Sequence, residues 1–99
     1  MYGTFARIQI RPGKIERFLA RVRELSAEKD PGLVNEYFYQ MDEDPNVMYM
    51  AVAFESREAY RANSERPETH ARAMEVSEFA VGQPEWHDGT VVIAHEKRN

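Results

Sequence analysis

The sequence contains no cysteine and no long hydrophobic run. The absence of cysteine excludes disulfide bonds, thiolate catalysis and cysteine-ligated metal sites. No apolar stretch approaches the roughly 20 residues that a membrane-spanning helix requires. The N-terminal residues MYGTFARIQ also lack the pattern of a signal peptide. We therefore expect a cytoplasmic protein that does not insert into membranes.

Histidine is scarce, and the three residues fall on different predicted elements (His70, His87 and His95). No HxxxH or HExxH spacing occurs, so we predict no metal site. The sequence also lacks a nucleophile elbow, a phosphate-binding loop and a dinucleotide-binding fingerprint. Glu36 and Glu55 lie near strands, but nothing in the sequence pairs them as a general acid and base.

Positive charge is unevenly distributed in a chain whose net charge is −4. Residues 1–30 hold seven Lys and Arg against four Asp and Glu, whereas residues 31–99 hold six against thirteen. Lys14, Arg17 and Arg21 fall on one face of a predicted helix, which is either a solvated face or a landing surface for an anionic ligand. The overall acidity argues against nucleic-acid binding, which requires a basic surface.

The first third of the chain predicts a strand followed by a helix. The whole sequence of 99 residues suffices for one domain, which we predict to span residues 1–99. Residues 2–10 alternate as in a strand, with Thr4, Ala6 and Ile8 on one face. Apolar residues at helical spacing between Ile15 and Leu25 indicate an amphipathic helix. The Asp-Pro-Gly sequence at 30–32 ends that helix.

The remaining residues predict two further strands, a broken helix and a last strand. Strands at 33–41 and 47–54 flank the acidic loop DEDPN and form a hairpin. Ser56 is placed to cap a helix, and Pro67 predicts a break followed by a second helical segment that ends near Phe79. We interpret WHDG at 86–89 as a turn and TVVIAH at 90–95 as the last strand. The order predicts an α+β, ferredoxin-like βαββαβ fold, with one antiparallel sheet and the helices on one face.

The strand predicted at 47–54, VMYMAVAF, is apolar on both faces. Such a strand needs cover on both sides, and helices on one face of the sheet provide only one cover. The other face would expose residues such as Phe5, Tyr49 and Ala51, an apolar patch that is unusual on a soluble monomer. We therefore predict a homodimer in which two open sheet faces pack together around a shared, barrel-like core.

The candidate site consists of three polar residues at helical spacings, Tyr60, Asn63 and His70. Tyr60 and Asn63 are three residues apart on one helical segment, and His70 lies on the next. Met74, four residues after His70, and Phe18 would give the cleft between helices and sheet an apolar wall, as in small-molecule pockets. The same residues are equally consistent with an amphipathic helix–sheet seam that binds no ligand.

Two stretches carry a family resemblance: PGK after the first strand, and PGLVNEYFYQMDEDPNVMYMAVAFESREAYRANSERPETH. Through them the chain resembles the antibiotic biosynthesis monooxygenase family of the dimeric α+β barrel superfamily, over nearly its whole length. The resemblance implies a cofactor-independent monooxygenase that oxidises an electron-rich aromatic (a phenol, anthrone or quinol) with O₂. Such chemistry needs a base and donors that stabilise an anion. We expect His70 to act as base or anion partner, with Tyr60 and Asn63 as hydrogen-bonding groups.

A related branch of the resembled family binds and degrades heme with a His, a Trp and an Asn around the ring. His70 falls at the position of that His, whereas Tyr60 replaces the Trp and Ala6 replaces the Asn. These departures disfavour heme, so we expect no cofactor. The alternatives are a heme-binding relative and a non-catalytic small-molecule-binding or stress-response module on the same fold. Further substrate contacts are expected from Tyr37, Met74, Phe18 and Ala6.

Overall fold

A computed structural model describes residues 1–97, in which four strands and three helices are found: β1 Tyr2–Gln9, α1 Ile15–Leu25, β2 Leu33–Gln40, β3 Val47–Phe54, α2 Arg57–Ser64, α3 Pro67–Phe79 and β4 Glu85–Thr90. The last two residues of the predicted domain lie outside this range. The strands form one antiparallel sheet in the order β2-β3-β1-β4. Each helical region therefore joins two strands that are separated by a third, which is the ferredoxin-like arrangement. The predicted fold class is confirmed.

The helix boundaries follow from local signals in the sequence. Ser56 caps α2, because its Oγ accepts a hydrogen bond from the backbone N–H of Ala59 at 3.0 Å. Pro67 occupies the first turn of α3, where its missing N–H is not needed. The predicted break between the two helical segments is therefore confirmed. Among residues 1–97, no helix is long and apolar enough to cross a membrane.

The alternation along β1 divides the sheet into a helix-covered face and an open face. Thr4, Ala6 and Ile8 are buried on the helix-covered face, whereas Phe5, between Thr4 and Ala6, is 53% exposed on the open face. The core on the covered face is centred on five buried residues, Ile8, Ile10, Phe18, Met48 and Ala80. Burial of this apolar surface is the main stabilising term of a domain of this size.

The last strand lies earlier in the chain than predicted. β4 is Glu85–Thr90, and its register on β1 runs from Glu85 opposite Arg7 to Thr90 opposite Tyr2. Tyr2 is the first residue of β1, so residues after Thr90 run past the end of the strand that they would pair with. After Thr90 the backbone N–H of Val91 still donates to the carbonyl of Met1 at 3.0 Å, but the strand-forming sequence VVIAH forms no strand, and tertiary pairing overrides local propensity. The predicted strand at 90–95 and the predicted turn at WHDG are both wrong.

An ion pair connects the first and last helices of the covering layer. The Nε of Arg21 on α1 donates to Oε2 of Glu75 on α3 at 2.6 Å, and its Nη1 donates to Glu24 at 2.8 Å. Arg21 lowers the pKa of the Glu75 carboxyl, and both carboxylates raise the pKa of the Arg21 guanidinium. Arg21 is therefore engaged by two acidic partners, which favours the reading of this basic helix face as a solvated, charge-balanced surface.

Candidate functional site

A cavity of about 160 Å³ lies between the helix-covered face of the sheet and the three helices. Its apolar wall is formed by residues of α1, two strands and α3: Val22, Leu25, Phe38, Met50, Val52 and Val76. A smaller polar set also lines it: Asp30, Asn63, Thr69 and Arg72. An apolar chamber with a few convergent polar groups is the usual composition of a small-molecule site.

Tyr60 contributes its ring to the cavity wall and directs its hydroxyl elsewhere. The ring makes edge-to-face contacts with Phe54 at 5.7 Å and with Tyr2 at 5.3 Å. The hydroxyl donates to Oδ1 of Asp88 on β4 at 3.0 Å. Burial, reinforced by the Asp88 carboxylate, raises the pKa of Tyr60 to about 12. Tyr60 is therefore a neutral phenol at physiological pH and is no general base.

A charged network closes one end of the cavity, where the loop after α1 meets α3. Arg72 binds Asp30 in a bidentate manner, with N–O distances of 2.8 and 3.1 Å. Arg66 donates to the same carboxylate at 3.1 Å and to Oδ1 of Asn63 at 3.3 Å. The bond to Asp30 raises the pKa of the Arg72 guanidinium, so this arginine stays charged. The network fixes the junction between α2 and α3 and the orientation of the Asn63 amide.

The structure brings together only part of the predicted site. Tyr60 and Asn63 share the cavity wall, but His70 is exposed on α3 and Met74 is 72% exposed. The expected convergence of His70 and Met74 on this cavity is therefore wrong. The reason is helical phase: the inward positions of α3 are 69, 72, 73 and 76, and His70 and Met74 project about 100° to one side of them.

Three further predicted substrate contacts also lie outside the cavity wall. Phe18 is 1% exposed and packs against Phe38 and Phe79 in the core. Ala6 is fully buried on β1 beneath the helices. Tyr37 is 57% exposed on the open face, because Phe38 takes the cavity-facing position of β2.

Sequence reasoning missed the polar residues that the cavity does contain. Thr69 and Arg72 are three residues apart, the spacing that places side chains on one helix face, and Val76 continues this face. That spacing was available as a signal, but its direction depends on how α3 turns after the break at Pro67. In the sequence, Asp30 indicates only the end of a helix. Glu36, which lines the cavity, is there a carboxylate with no predicted partner.

A second concavity, of about 340 Å³, lies on the other side of the sheet. It is lined by residues of all four strands, among them the polar Thr4, Asn35 and Asp88, together with Val91 and Ala94 from the segment after β4. His87 stacks on Phe5 at its edge, with ring centroids 5.1 Å apart. We assign the candidate site to the smaller cavity, because several charged and polar side chains are held there by one another.

Among residues 1–97, the residues that line the cavity do not form a set of ligands suited to a metal ion or to heme. Within residues 1–97, no group of three or more His, Cys, Asp or Glu side chains is placed to hold a metal ion. Heme ligation through His70 does not fit this chamber, since His70 is outside its wall. The polar groups present are instead suited to hydrogen bonding with a small organic molecule.

The fold and the cavity define a small α+β, ferredoxin-like protein with a ligand-sized chamber between its sheet and its helices. The family model described as antibiotic biosynthesis monooxygenase matches residues 1–75, and the chain belongs to this family. The predicted family is therefore confirmed. No curated protein sequence is a significant match.

Solved structures with low sequence identity share the fold. A Nitrosomonas europaea protein named for the same family has a TM-score of 0.79 at 18% identity, covering 94% of this chain and 100% of that one. A conserved protein from Methanosarcina mazei has a TM-score of 0.80 at 19% identity, with 89% of each chain covered. SnoaB from Streptomyces nogalater, described as a cofactor-independent oxygenase, has a TM-score of 0.77 at 16% identity, with 97% of each chain covered.

Proposed function

We propose that this protein is a monooxygenase that oxidises an electron-rich aromatic small molecule, such as a phenol, quinol or anthrone, with O₂ and without a cofactor. Family membership supports the reaction class. The observation that carries the assignment is the cavity in which Asn63, Thr69 and Arg72 meet an apolar wall. Reaction of an aromatic anion with O₂ needs an apolar wall with donors for the developing negative charge.

The proposed reaction balances without an external reductant. A phenol loses its proton to a base, and the anion reacts with O₂ at an electron-rich ring carbon. One oxygen atom becomes the new carbonyl of a quinone. The other leaves as water with the phenolic hydrogen and the displaced ring hydrogen. All four electrons come from the substrate.

The contacts in the cavity suggest a role for each polar group. Arg66 donates to Oδ1 of Asn63, so the other group of this amide, Nδ2, is the one that we assign as donor to an anion. The oxygens of Asp30 are already bound by two guanidinium groups, so we assign Asp30 a structural role. Glu36 also lines the cavity, where it accepts a hydrogen bond from Ser26 at 3.2 Å, and we assign it the role of proton acceptor.

Oxygen uptake with a panel of phenols, quinols and anthrone tests this proposal. The wild type should consume O₂ faster than buffer, and Asn63→Ala should lower kcat by about 100-fold, the loss typical of a donor to a developing anion. Ser64→Ala changes the exposed neighbouring residue and serves as the matched control. Ligand-induced stabilisation by the panel without any product would instead favour a binding module.

His70→Ala separates the role inferred from the sequence from the one inferred from the geometry. If His70 acts as the base or anion partner, the His70→Ala variant should lose most of its kcat. The exposed position of His70 outside the cavity wall supports retained activity, with the loss appearing in Glu36→Gln instead. A large loss of kcat in His70→Ala together with retained activity in Glu36→Gln would show that His70 is the base. It would also require α3 to turn on substrate binding.

We also propose that two copies of the chain associate through their open sheet faces. The support is the apolar patch around Phe5, Tyr37 and Tyr39, whose side chains are 53%, 57% and 55% exposed, with Tyr49 and Ala51 half-buried between them. A patch of this composition on both copies suits a symmetric interface.

Light scattering coupled to size exclusion tests the association. The wild type should run as a dimer at micromolar concentration, and Phe5→Arg should run as a monomer. Met74→Arg introduces the same charge at another exposed apolar residue, on α3 at the opposite side of the sheet, and should leave the dimer intact. A monomeric wild type would overturn the proposal.

A further inference from the structure

We propose that residues 91–97, which follow β4, form an arm that adds a strand to the free edge of β2 in a second copy of the chain. This inference rests on the proposed association of two copies and names the segment that each copy exchanges. It follows from three observations: an exposed segment of strand-forming residues, an unprotected sheet edge, and the distance that separates the two within one chain.

The arm exposes apolar side chains and an unpaired backbone. Val92 and Ile93 are 86% and 75% exposed, more than the other large hydrophobic residues of the described chain. The backbone N–H of Val91 donates to the carbonyl of Met1, but no backbone hydrogen bond joins residues 92–95 to another described residue. Val and Ile favour strands, and exposed apolar surface marks sites of association. The segment therefore has the composition of a strand whose partner lies outside the single chain.

The edge of β2 lacks most of the features that usually protect an edge strand. In the order β2-β3-β1-β4, one side of β2 has no neighbour. Edge strands are commonly short or carry lysine or proline, whereas LVNEYFYQ is eight residues long and has neither. A register irregularity is confined to its start, between Leu33 and Asn35. The exposed Val34, Tyr37 and Tyr39 can pair across strands with Val and Ile, whereas β4, the other edge, is mostly polar.

The strand-forming residues of the arm cannot lie along β2 of their own chain. The register places Thr90, the end of β4, and Leu33, the start of β2, at the same end of the sheet. Three strand spacings separate them, about 14 Å at about 4.8 Å each. An extended chain rises about 3.3 Å per residue, so roughly four residues are needed for the crossing. Residues 91–94 would make that crossing, which leaves the edge of β2 to the arm of a second copy.

Position and charge both favour a second copy as the occupant of this edge. Val91 and Ala94 line the concavity on the open side of the sheet, so the arm begins at the proposed interface between copies. The loop after β2 carries three exposed carboxylates at positions 42–44, whereas the arm ends with the exposed Lys97. An arm of seven residues that runs in the direction of the eight-residue β2 brings Lys97 to this loop. Opposite charges then meet at the end of the added strand.

Amide hydrogen exchange tests whether the arm forms a strand. Above the dissociation constant of the dimer, alternate amides of residues 92–95 should exchange at least about tenfold more slowly than in the Phe5→Arg variant, because strand hydrogen bonds protect them. Ile93→Asp should raise the dissociation constant about tenfold, since it removes an apolar side chain from the added strand. Met74→Asp makes the matched change at a residue of α3 that is 72% exposed and should have no effect.

Carbodiimide cross-linking of a mixture of unlabelled and isotope-labelled chains tests the exchange and its direction. The expected product joins Lys97 of one chain to a carboxylate at positions 42–44 of the other, and Lys97→Arg should abolish it. Links from Lys97 that stay within one chain would overturn the exchange. A dimer whose amides at 92–95 exchange as fast as in Phe5→Arg would overturn the arm and retain the association of open faces. A monomeric wild type would overturn both, whereas O₂ uptake tests the monooxygenase separately.

Discussion

The two faces of the sheet differ in what covers them, although the same four strands form both faces. On the covered face, Ile8 and Met48 are almost fully buried under the helices. On the open face, Phe5 of β1 and Tyr37 of β2, which both lie opposite Ala51 of β3, remain more than half exposed. The alternation of residues along a strand therefore predicts which residues share a face of the sheet, but it does not predict what covers that face. The covered face also holds the candidate cavity, while the open face carries the apolar patch through which we propose that two copies associate.

The largest expected effect compares the same residue type on the core and the open face. Phe18→Ala should lower the free energy of unfolding by about 3–5 kcal/mol, because it leaves a cavity among packed rings. Phe5→Ala should cost about 1 kcal/mol or less in the dilute single chain, since Phe5 is half exposed there. Urea denaturation of both variants measures the difference.

Protein concentration decides how to interpret the result for Phe5. In a dimer, the cost of Phe5→Ala should grow with concentration, because unfolding then includes dissociation. The cost of Phe18→Ala should not depend on concentration in this way. An equal and concentration-independent cost for both variants would contradict the distinction between the faces.

A smaller effect is expected where the polar network closes the covered face. Asp30→Asn keeps the shape of the side chain but removes the charge that binds Arg66 and Arg72. The variant should lose about 1–2 kcal/mol of stability, since charge-assisted bonds are replaced by neutral ones in a partly exposed network. Asp42→Asn in the exposed loop between β2 and β3 is the control. An equal effect of both substitutions would mean that the network is not structural.

The pH dependence of stability tests the burial of Tyr60 at the edge of the covered face. Its pKa is about 12 in the folded protein against an ordinary value of 10.0. Between these values the unfolded chain releases the proton and the folded chain keeps it, so stability is level below pH 10 and falls toward pH 12. Urea denaturation across this alkaline range should show the decline, and Tyr60→Phe should reduce it.

Two variants identify the cause of this shift. Asp88→Asn removes the charge next to the hydroxyl, so the pKa of Tyr60 should move part of the way toward its ordinary value, while burial maintains the rest. Tyr39→Phe changes an exposed tyrosine of the open face and should leave the alkaline decline intact. If the alkaline loss of stability disappeared in Tyr39→Phe, its cause would be Tyr39 on the open face and not Tyr60, which would contradict the prediction.

Local signals were sufficient for most of the fold. The alternation along β1, the cap at Ser56 and the break at Pro67 each involve residues that are close in sequence. The last strand was different, because EWHDGT is weakly strand-forming and exposed along its whole length. It pairs there because β1 is available at that register, and this is a property of the assembled sheet.

The candidate site was harder to predict for a related reason. Tyr60 and Asn63 are found in one wall because a single short helix sets their relative direction. His70 and Thr69 are adjacent in sequence, yet only Thr69 lines the cavity. The choice between them depends on the angle of the chain at Pro67, which is fixed by packing and by the network of Asp30 with two arginines. A helical spacing identifies residues that share a face, but tertiary contacts decide where that face points.

The smallest expected effect concerns the ion pair between α1 and α3, which tests what holds the covering layer in place. Arg21 lowers the pKa of Glu75, so the contribution of the pair is complete above the ordinary carboxyl value of 4.5 and is lost as the pH falls through the lower, folded value. Both side chains are exposed, so Glu75→Gln should destabilise the protein less than Asp30→Asn, and added salt should reduce its effect. Glu78→Gln, an exposed neighbour on α3, is the control for urea denaturation at low and high salt. If Glu75→Gln were as costly as Asp30→Asn and insensitive to salt, the helices would be held on the covered face by polar contacts as much as by the burial of Phe18 and its neighbours.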